Sequence, residues 1–110
     1  MGGNYPGEFE VMVLLAIVRL GDEAYGWTVA QELERVAERP VSSGALYTTL
    51  GRLEQKGFLR SREGEGTEER GGRPRRYVTV TAAGVGALRR TREAMERLWA
   101  GVQVRAGEAR

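Results

Sequence analysis

The sequence predicts a mainly α-helical domain that carries one small β-hairpin and is followed by a single C-terminal helix. Three observations support this α+β fold class. Helical spacing of apolar residues comes first, at 8–20, 26–38 and 42–57. From Leu59 onward, and again up to Val80, the side-chain pattern repeats every two residues, which is typical of β-strands. After Thr81 a heptad spacing begins. With 110 residues the helices and the hairpin fit one domain.

The first helical segment is apolar on every side. Nearly all residues between Glu8 and Leu20 are hydrophobic, and Gly21 can end the helix. A helix that is apolar all round has to be buried all round, yet a chain of this size buries only about two thirds of its unfolded surface. We therefore expect part of this helix, including Met12 and Leu15, to meet a second subunit.

The second and third segments have one apolar face each. Residues 26–38 are amphipathic at helical spacing, and Pro40 closes the segment. In the third segment Ser42 can cap a helix whose inward stripe is Leu46, Leu50 and Leu53, with Gly57 as the stop.

The outward face of the third helix is the most informative surface in the sequence. At 100° per residue it consists of Gly44, Thr48, Gly51, Arg52 and Gln55. Two glycines weaken a helix but let another surface come close. The hydroxyl, guanidinium and amide are groups that bind base edges and phosphates. The alternative interpretation is an ordinary solvated face.

Two strands in a hairpin follow. Side chains alternate from Leu59 and again before Val80, whereas the glycine-rich residues 64–74 are too polar to pack and predict a mobile tip. Around Pro74 stand Arg73, Arg75 and Arg76, which could neutralise phosphates or enter a narrow minor groove. Three helices followed by a hairpin predict a winged helix-turn-helix, with the third helix in the major groove and the wing beside it.

The last segment predicts a dimerisation helix. Thr81 can cap it, and its apolar seam has spacings of four and three, which is typical of helices that pair. The seam comprises Gly84, Leu88, Thr91, Met95, Leu98 and Val102, with Trp99 beside it. We expect it to pair with its symmetry mate and with the first helix, while an ordinary intrachain helix is the alternative. The expected division is a DNA-binding domain at 1–80, the dimerisation helix at 81–104 and a frayed tail at 105–110.

Composition argues against an enzyme. Cysteine and histidine are absent, so the chain has no thiol nucleophile, no usual general base and no imidazole metal ligand. The carboxylates show no catalytic pairing or metal-binding spacing, and we expect no cofactor and no metal. The net charge is only +2, but residues 41–80 hold eight basic against five acidic side chains. The lack of cysteine suits the cytoplasm, and no apolar run is long enough to predict a membrane anchor.

Three motifs in one order carry a resemblance to a known family. They are YGW at 25–27, SSGALYTTLGRLEQKGFL at 42–59 and GGRPRRYVTVTAAG at 71–84. With them the chain resembles the PadR-like transcriptional regulators. The resemblance implies a homodimeric winged-helix repressor, of a kind that often regulates its own gene and is often released from DNA by a small molecule. It also implies that Tyr47 and the wing arginines contact DNA. Ser43 and Thr48 stand where many relatives have proline, so contacts at Thr48 differ from the family pattern.

The expected function is therefore transcriptional regulation. A homodimer would bind a pseudo-palindromic operator in double-stranded DNA through helix 42–57 and wing 59–80. The expected DNA-binding residues are Ser43, Gly44, Tyr47, Thr48, Arg52, Gln55, Arg73, Arg75 and Arg76. The alternative is a winged-helix module that binds protein rather than DNA. Trp27, Trp99, Met12 and Met95 are more often core residues, but they also fit a flat aromatic or apolar effector.

Overall fold

The computed structural model describes residues 5–66 and 74–104. The elements in chain order are α1 (Glu8–Leu20), a 3-10 turn (Gly21–Glu23), α2 (Gly26–Ala37), α3 (Ser43–Gln55), β1 (Leu59–Gly66), β2 (Pro74–Val80) and α4 (Ala82–Trp99). The strands form one antiparallel sheet. The predicted fold class, helices with one hairpin in winged-helix order, is confirmed. Across the described ranges no helix is both long and apolar enough to span a bilayer.

The core lies where α1, α2 and α3 meet the base of the hairpin. Val13, Leu14 and Ile17 on α1 are almost completely buried, and so are Leu46 and Leu53 on α3. Val29 and Leu33 of α2 and Phe58, Leu59 and Val78 of the hairpin complete the same cluster. Because the buried stripe of α3 has helical spacing, its opposite face is left to solvent.

Helix ends follow the capping signals. The Ser42 hydroxyl accepts a hydrogen bond from the Ala45 N–H at 3.2 Å, and Thr81 accepts one from Gly84 at 3.1 Å. Gly57 has φ +81°, a conformation that ends the third helical segment at little steric cost. Gly84 is buried, and a Cβ there would collide with the carbonyl oxygen of Phe58 and lie 2.6 Å from Val80 Cγ1. The first turn of α4 therefore rests directly on the hairpin base.

The hairpin is longer than expected. Leu59 pairs with Val80, Ser61 with Val78, and Gly66 with Pro74, so residues 64–66 and 74 belong to the strands and not to a loop. The register shifts between Glu63 and Gly66. The rest of the expected tip, together with Arg73, lies outside the described residues.

The C-terminal helix is shorter than the expected 81–104. It ends at Trp99, because Ala100 leaves the helical conformation (φ −56°, ψ 123°) and Gly101 adopts φ +75°. Val102 therefore does not extend the heptad seam on the helix, and its N–H bonds back to the Trp99 carbonyl at 2.9 Å. The second helix also ends earlier than expected, at Ala37, since Glu38 is left-handed with φ +52°. The tail at 105–110 lies outside the described residues.

Candidate nucleic-acid interface

The exposed face of α3 is the one that the sequence predicted. Its expected contact residues are all exposed: Ser43, Gly44, Tyr47, Thr48, Arg52 and Gln55. Leu46, Leu50 and Leu53 on the opposite side are buried. The predicted rotational phase of the helix is thus confirmed.

The two glycines on this face have no packing role within the described chain. A Cβ built at Gly44 or at Gly51 would meet no atom within 4 Å. Gly51 lies in the middle of the helix, where glycine is about 1 kcal/mol less favourable than alanine. A residue that weakens its own helix without relieving any clash is typical of a surface that another molecule approaches closely.

A cleft of about 190 Å³ separates this face from the wing, which we define as residues 59–80. Its lining combines aromatic, charged and small side chains: Tyr25, Gly26, Trp27, Tyr47, Leu50, Gly51, Glu54, Arg75, Arg76 and Val78. Trp27 and Tyr47 are each more than half exposed beside it. The Tyr47 hydroxyl lies 3.3 Å from where a Cβ of Gly26 would stand, so the ring covers the start of α2.

Arg75 is held by tyrosines and does not project freely from the wing. Its guanidinium carbon lies 4.2 Å from the centroid of the Tyr25 ring, and its Nη1 donates to the Tyr77 hydroxyl at 3.4 Å. Tyr25 and Tyr77 meet edge to face at 5.6 Å, and Arg62 stacks on Tyr77 at 4.6 Å. Cation–π contacts of this kind contribute about 0.5–2 kcal/mol each. Arg75, one of the expected DNA-binding arginines, is therefore held by contacts within the protein.

Arg76 connects the wing to α3. Its Nη2 donates to Glu54 Oε1 at 3.1 Å and to the Ser61 hydroxyl at 3.0 Å, and Ser61 in turn donates to Glu54 Oε2 at 2.7 Å. The Arg76 side chain is still 65% exposed, so it can contact a second anion while it remains paired.

Arg52 faces the same side but has a partner on α1. Its Nη1 lies 3.9 Å from Oε2 of Glu10, whose Oε1 accepts hydrogen bonds from Lys56 Nζ and from the Gly7 N–H, both at 2.8 Å. Burial raises the pKa of Glu10, but the Lys56 and Gly7 hydrogen bonds and the charges of Lys56 and Arg52 outweigh it, so the pKa lies below its usual value. The carboxylate is therefore ionised at neutral pH.

Most residues expected at the dimer interface belong to α1 and α4, although Met12 lines a groove between α1 and α2 and Val102 lies beyond the end of α4. Leu15, Met95, Leu98 and Trp99 are each about half exposed or more, and Val102 is 48% exposed in the tail. Met12 and Leu88 are partly buried. A groove of about 480 Å³ runs between α1 and α4, lined by Val11, Leu15, Leu88, Arg89, Thr91, Arg92 and Met95.

Sequence reasoning missed the acidic and aromatic partners of the site. Glu10 and Glu54 hold the arginines of the interface, and Tyr25 and Tyr77 form its stack. Glu10 had a detectable signal, because it is an acidic residue inside an otherwise apolar segment. The pairing of Tyr25 with Tyr77 had none, since the two residues lie far apart in the chain. Within residues 5–66 and 74–104, no cluster of acidic side chains could hold a metal ion.

Comparisons with known proteins agree with this architecture. The transcriptional regulator PadR-like family matches residues 14–90. A protein of Mycobacterium tuberculosis, named Transcriptional regulator Rv3488, is 44% identical over 79 residues, which cover 70% of this chain and 67% of that protein.

Solved structures show the same fold. A PadR family transcriptional regulator from Eggerthella lenta is 29% identical with a TM-score of 0.66, over 86% of this chain and 81% of that one. A PadR-like transcription factor from Bacteroides fragilis is 28% identical with a TM-score of 0.68, over 82% of each chain. The family match begins in the middle of α1 and continues through α2, α3 and the wing into the first half of α4. This chain therefore belongs to the PadR-like family of transcriptional regulators.

Proposed function

We propose that the protein is a repressor that binds a pseudo-palindromic operator in double-stranded DNA as a homodimer. The α3 helix enters the major groove, and the wing lies on the backbone or in the adjacent minor groove. The observation that carries this proposal is the exposed face of α3, with two glycines that nothing in the described chain requires. Beside it stand Arg52 and Arg76, each more than half exposed.

The apolar surface of α1 and α4 supports the homodimer. Leu98 is 72% exposed and Trp99 is 56% exposed, a large apolar area for a protein that stays monomeric. Pairing about a two-fold axis would cover this area on both subunits. Dimeric helix-turn-helix proteins bind half-sites about one helical turn of DNA, roughly 34 Å, apart, and we propose the same spacing for this operator.

A small aromatic or apolar effector is part of the proposal. The groove between α1 and α4 is mostly apolar and lies next to Met95, so an effector bound there would contact the helices that join the subunits. Such a ligand would cause release of DNA if it bound more tightly to a subunit arrangement that does not fit the operator than to the arrangement that does. The proposal also places the protein in the cytoplasm, where it would bind chromosomal DNA.

A winged-helix module that binds protein is the second candidate. The exposed aromatic rings of Trp27 and Tyr47 favour it, because aromatic side chains are enriched at protein interfaces. It leaves unexplained why glycines at 44 and 51 adjoin a hydroxyl, an amide and arginines.

Titration of a fluorescent duplex tests the two functions. The duplex carries the region upstream of the protein's own gene, and the control is a duplex of the same composition in random order. Operator binding by a homodimer predicts tighter binding to the first duplex and footprints on two half-sites. Equal, weak binding to both duplexes, or protection of a single half-site, would contradict it.

A further inference from the structure

The cluster around Glu10 joins the dimer-forming helix to the DNA-reading helix. Glu10 is on α1 and is only 6% exposed, whereas Lys56 and Arg52 belong to α3 and its C-terminal cap. Because the same carboxylate also accepts the Gly7 N–H, its position is fixed by the start of α1.

The two basic partners of Glu10 are held differently. Lys56 is close, at 2.8 Å, and its side chain is 23% exposed, so this pair is mainly internal. Arg52 is 3.9 Å away without a hydrogen bond, and its side chain is 53% exposed. Oε2 of Glu10 is buried and makes no hydrogen bond within the described chain. The Arg52 side of the pair is half in solvent and not hydrogen-bonded to Glu10, so the pair is weak there and a phosphate can compete for the guanidinium.

We propose that Glu10 is a positioning residue for DNA binding, which holds Arg52 back from phosphates and so limits non-specific affinity. The inference rests on the proposed function, because it assumes that the exposed face of α3 meets DNA. In free protein Glu10 and Arg52 are paired. A correctly placed phosphate takes over Arg52, whereas Lys56 stays with Glu10 and keeps its charge compensated.

Removal of the charge tests the proposal. Glu10→Gln keeps the shape and an acceptor for Gly7 but no longer restrains Arg52. On a random-sequence duplex we expect tighter binding and a steeper salt dependence. The slope should grow by up to about 0.9 per subunit, which is roughly 8-fold in affinity for each contact at 0.1 M salt.

The matched control is Glu8→Gln. The two substitutions change the net charge by the same amount. Glu8 is on the same helix, but its side chain is 85% exposed and pairs only loosely with Arg39, at 3.8 Å. The slope of this variant should remain that of the unmodified protein. Equal slopes for the two variants, or weaker binding by Glu10→Gln, would overturn the proposal.

A double variant identifies the route. If Glu10 acts through Arg52, Glu10→Gln should have no further effect on the salt slope in an Arg52→Ala background. A persistent effect there would show that Arg52 is not the intermediary and would reject the proposal.

One measurement needs no substitution at all, and it holds even if Glu10→Gln does not fold. The carboxyl carbon of Glu10 is titrated by NMR in the unmodified protein, once bound to the upstream duplex and once bound to the random-sequence duplex. Its pKa should be higher in the complex with the upstream duplex, because only a correctly placed phosphate takes the charge of Arg52 away from Glu10. Equal pKa values in the two complexes refute the exchange, whereas failure to bind either duplex contradicts the proposed function instead.

Discussion

Replacement of Gly51 by alanine should make the protein more stable and a weaker DNA binder. The added methyl group would meet no atom within 4 Å, so no repacking opposes it. In mid-helix the change contributes about 1 kcal/mol through helix propensity, which raises Tm by roughly 4 °C for a chain of this size. In the complex with DNA, the same methyl group would crowd an interface in which the two surfaces are already in close contact. Overpacking of this kind costs about 1–3 kcal/mol, or roughly 5- to 150-fold in Kd.

Thermal unfolding and fluorescence anisotropy with the upstream duplex measure the two effects of the Gly51 substitution on one preparation. Gly84→Ala is the matched control, because it adds the same methyl group where Phe58 and Val80 leave no room. That variant should lose stability. If Gly51→Ala bound the duplex as tightly as the unmodified protein while melting higher, no surface would approach α3 closely there, and the glycine argument for DNA binding would fail.

Three further predictions concern the core, the wing and the dimer. Leu50→Ala should lower the free energy of unfolding in urea by about 2–5 kcal/mol, because the Leu50 side chain is buried. Arg52→Ala should instead weaken DNA binding with little change in stability. Equal destabilisation by both variants would mean that the predicted rotational phase of α3 is wrong. Arg76→Ala should flatten the salt dependence of binding by about 0.9 per subunit, more than Arg60→Ala on the neighbouring strand, and identical slopes would assign the basic strand to solubility. Leu98→Glu should give a 12.1 kDa monomer in sedimentation, since it places charge on the exposed apolar surface of α4, and an intact dimer would exclude that surface as the interface.

Local signals in the sequence were sufficient for the helices and for the face of α3. Ser42 and Thr81 cap helices by accepting a hydrogen bond from the N–H three residues later, and Gly57 ends a helical segment through its φ of +81°, so each signal can be seen within a short stretch of sequence. At helical spacing Leu46, Leu50 and Leu53 all fall on the same face of α3, and that face is buried. The same reasoning failed at the end of α4. There the heptad spacing continues to Val102, but Gly101 leaves the helical conformation before it.

Periodicity and capping depend on neighbours along the chain, so the order of elements, the exposed polar face and the unusual glycines could be predicted from the sequence. Which charges are compensated depends on contacts that form only in the folded chain. Glu10 reaches Lys56 across 46 positions, and Arg76 reaches Glu54 across 22. Charge–charge and cation–π energies depend on distances that no spacing rule supplies, so arginines that look alike in the sequence differ in how firmly the protein holds them.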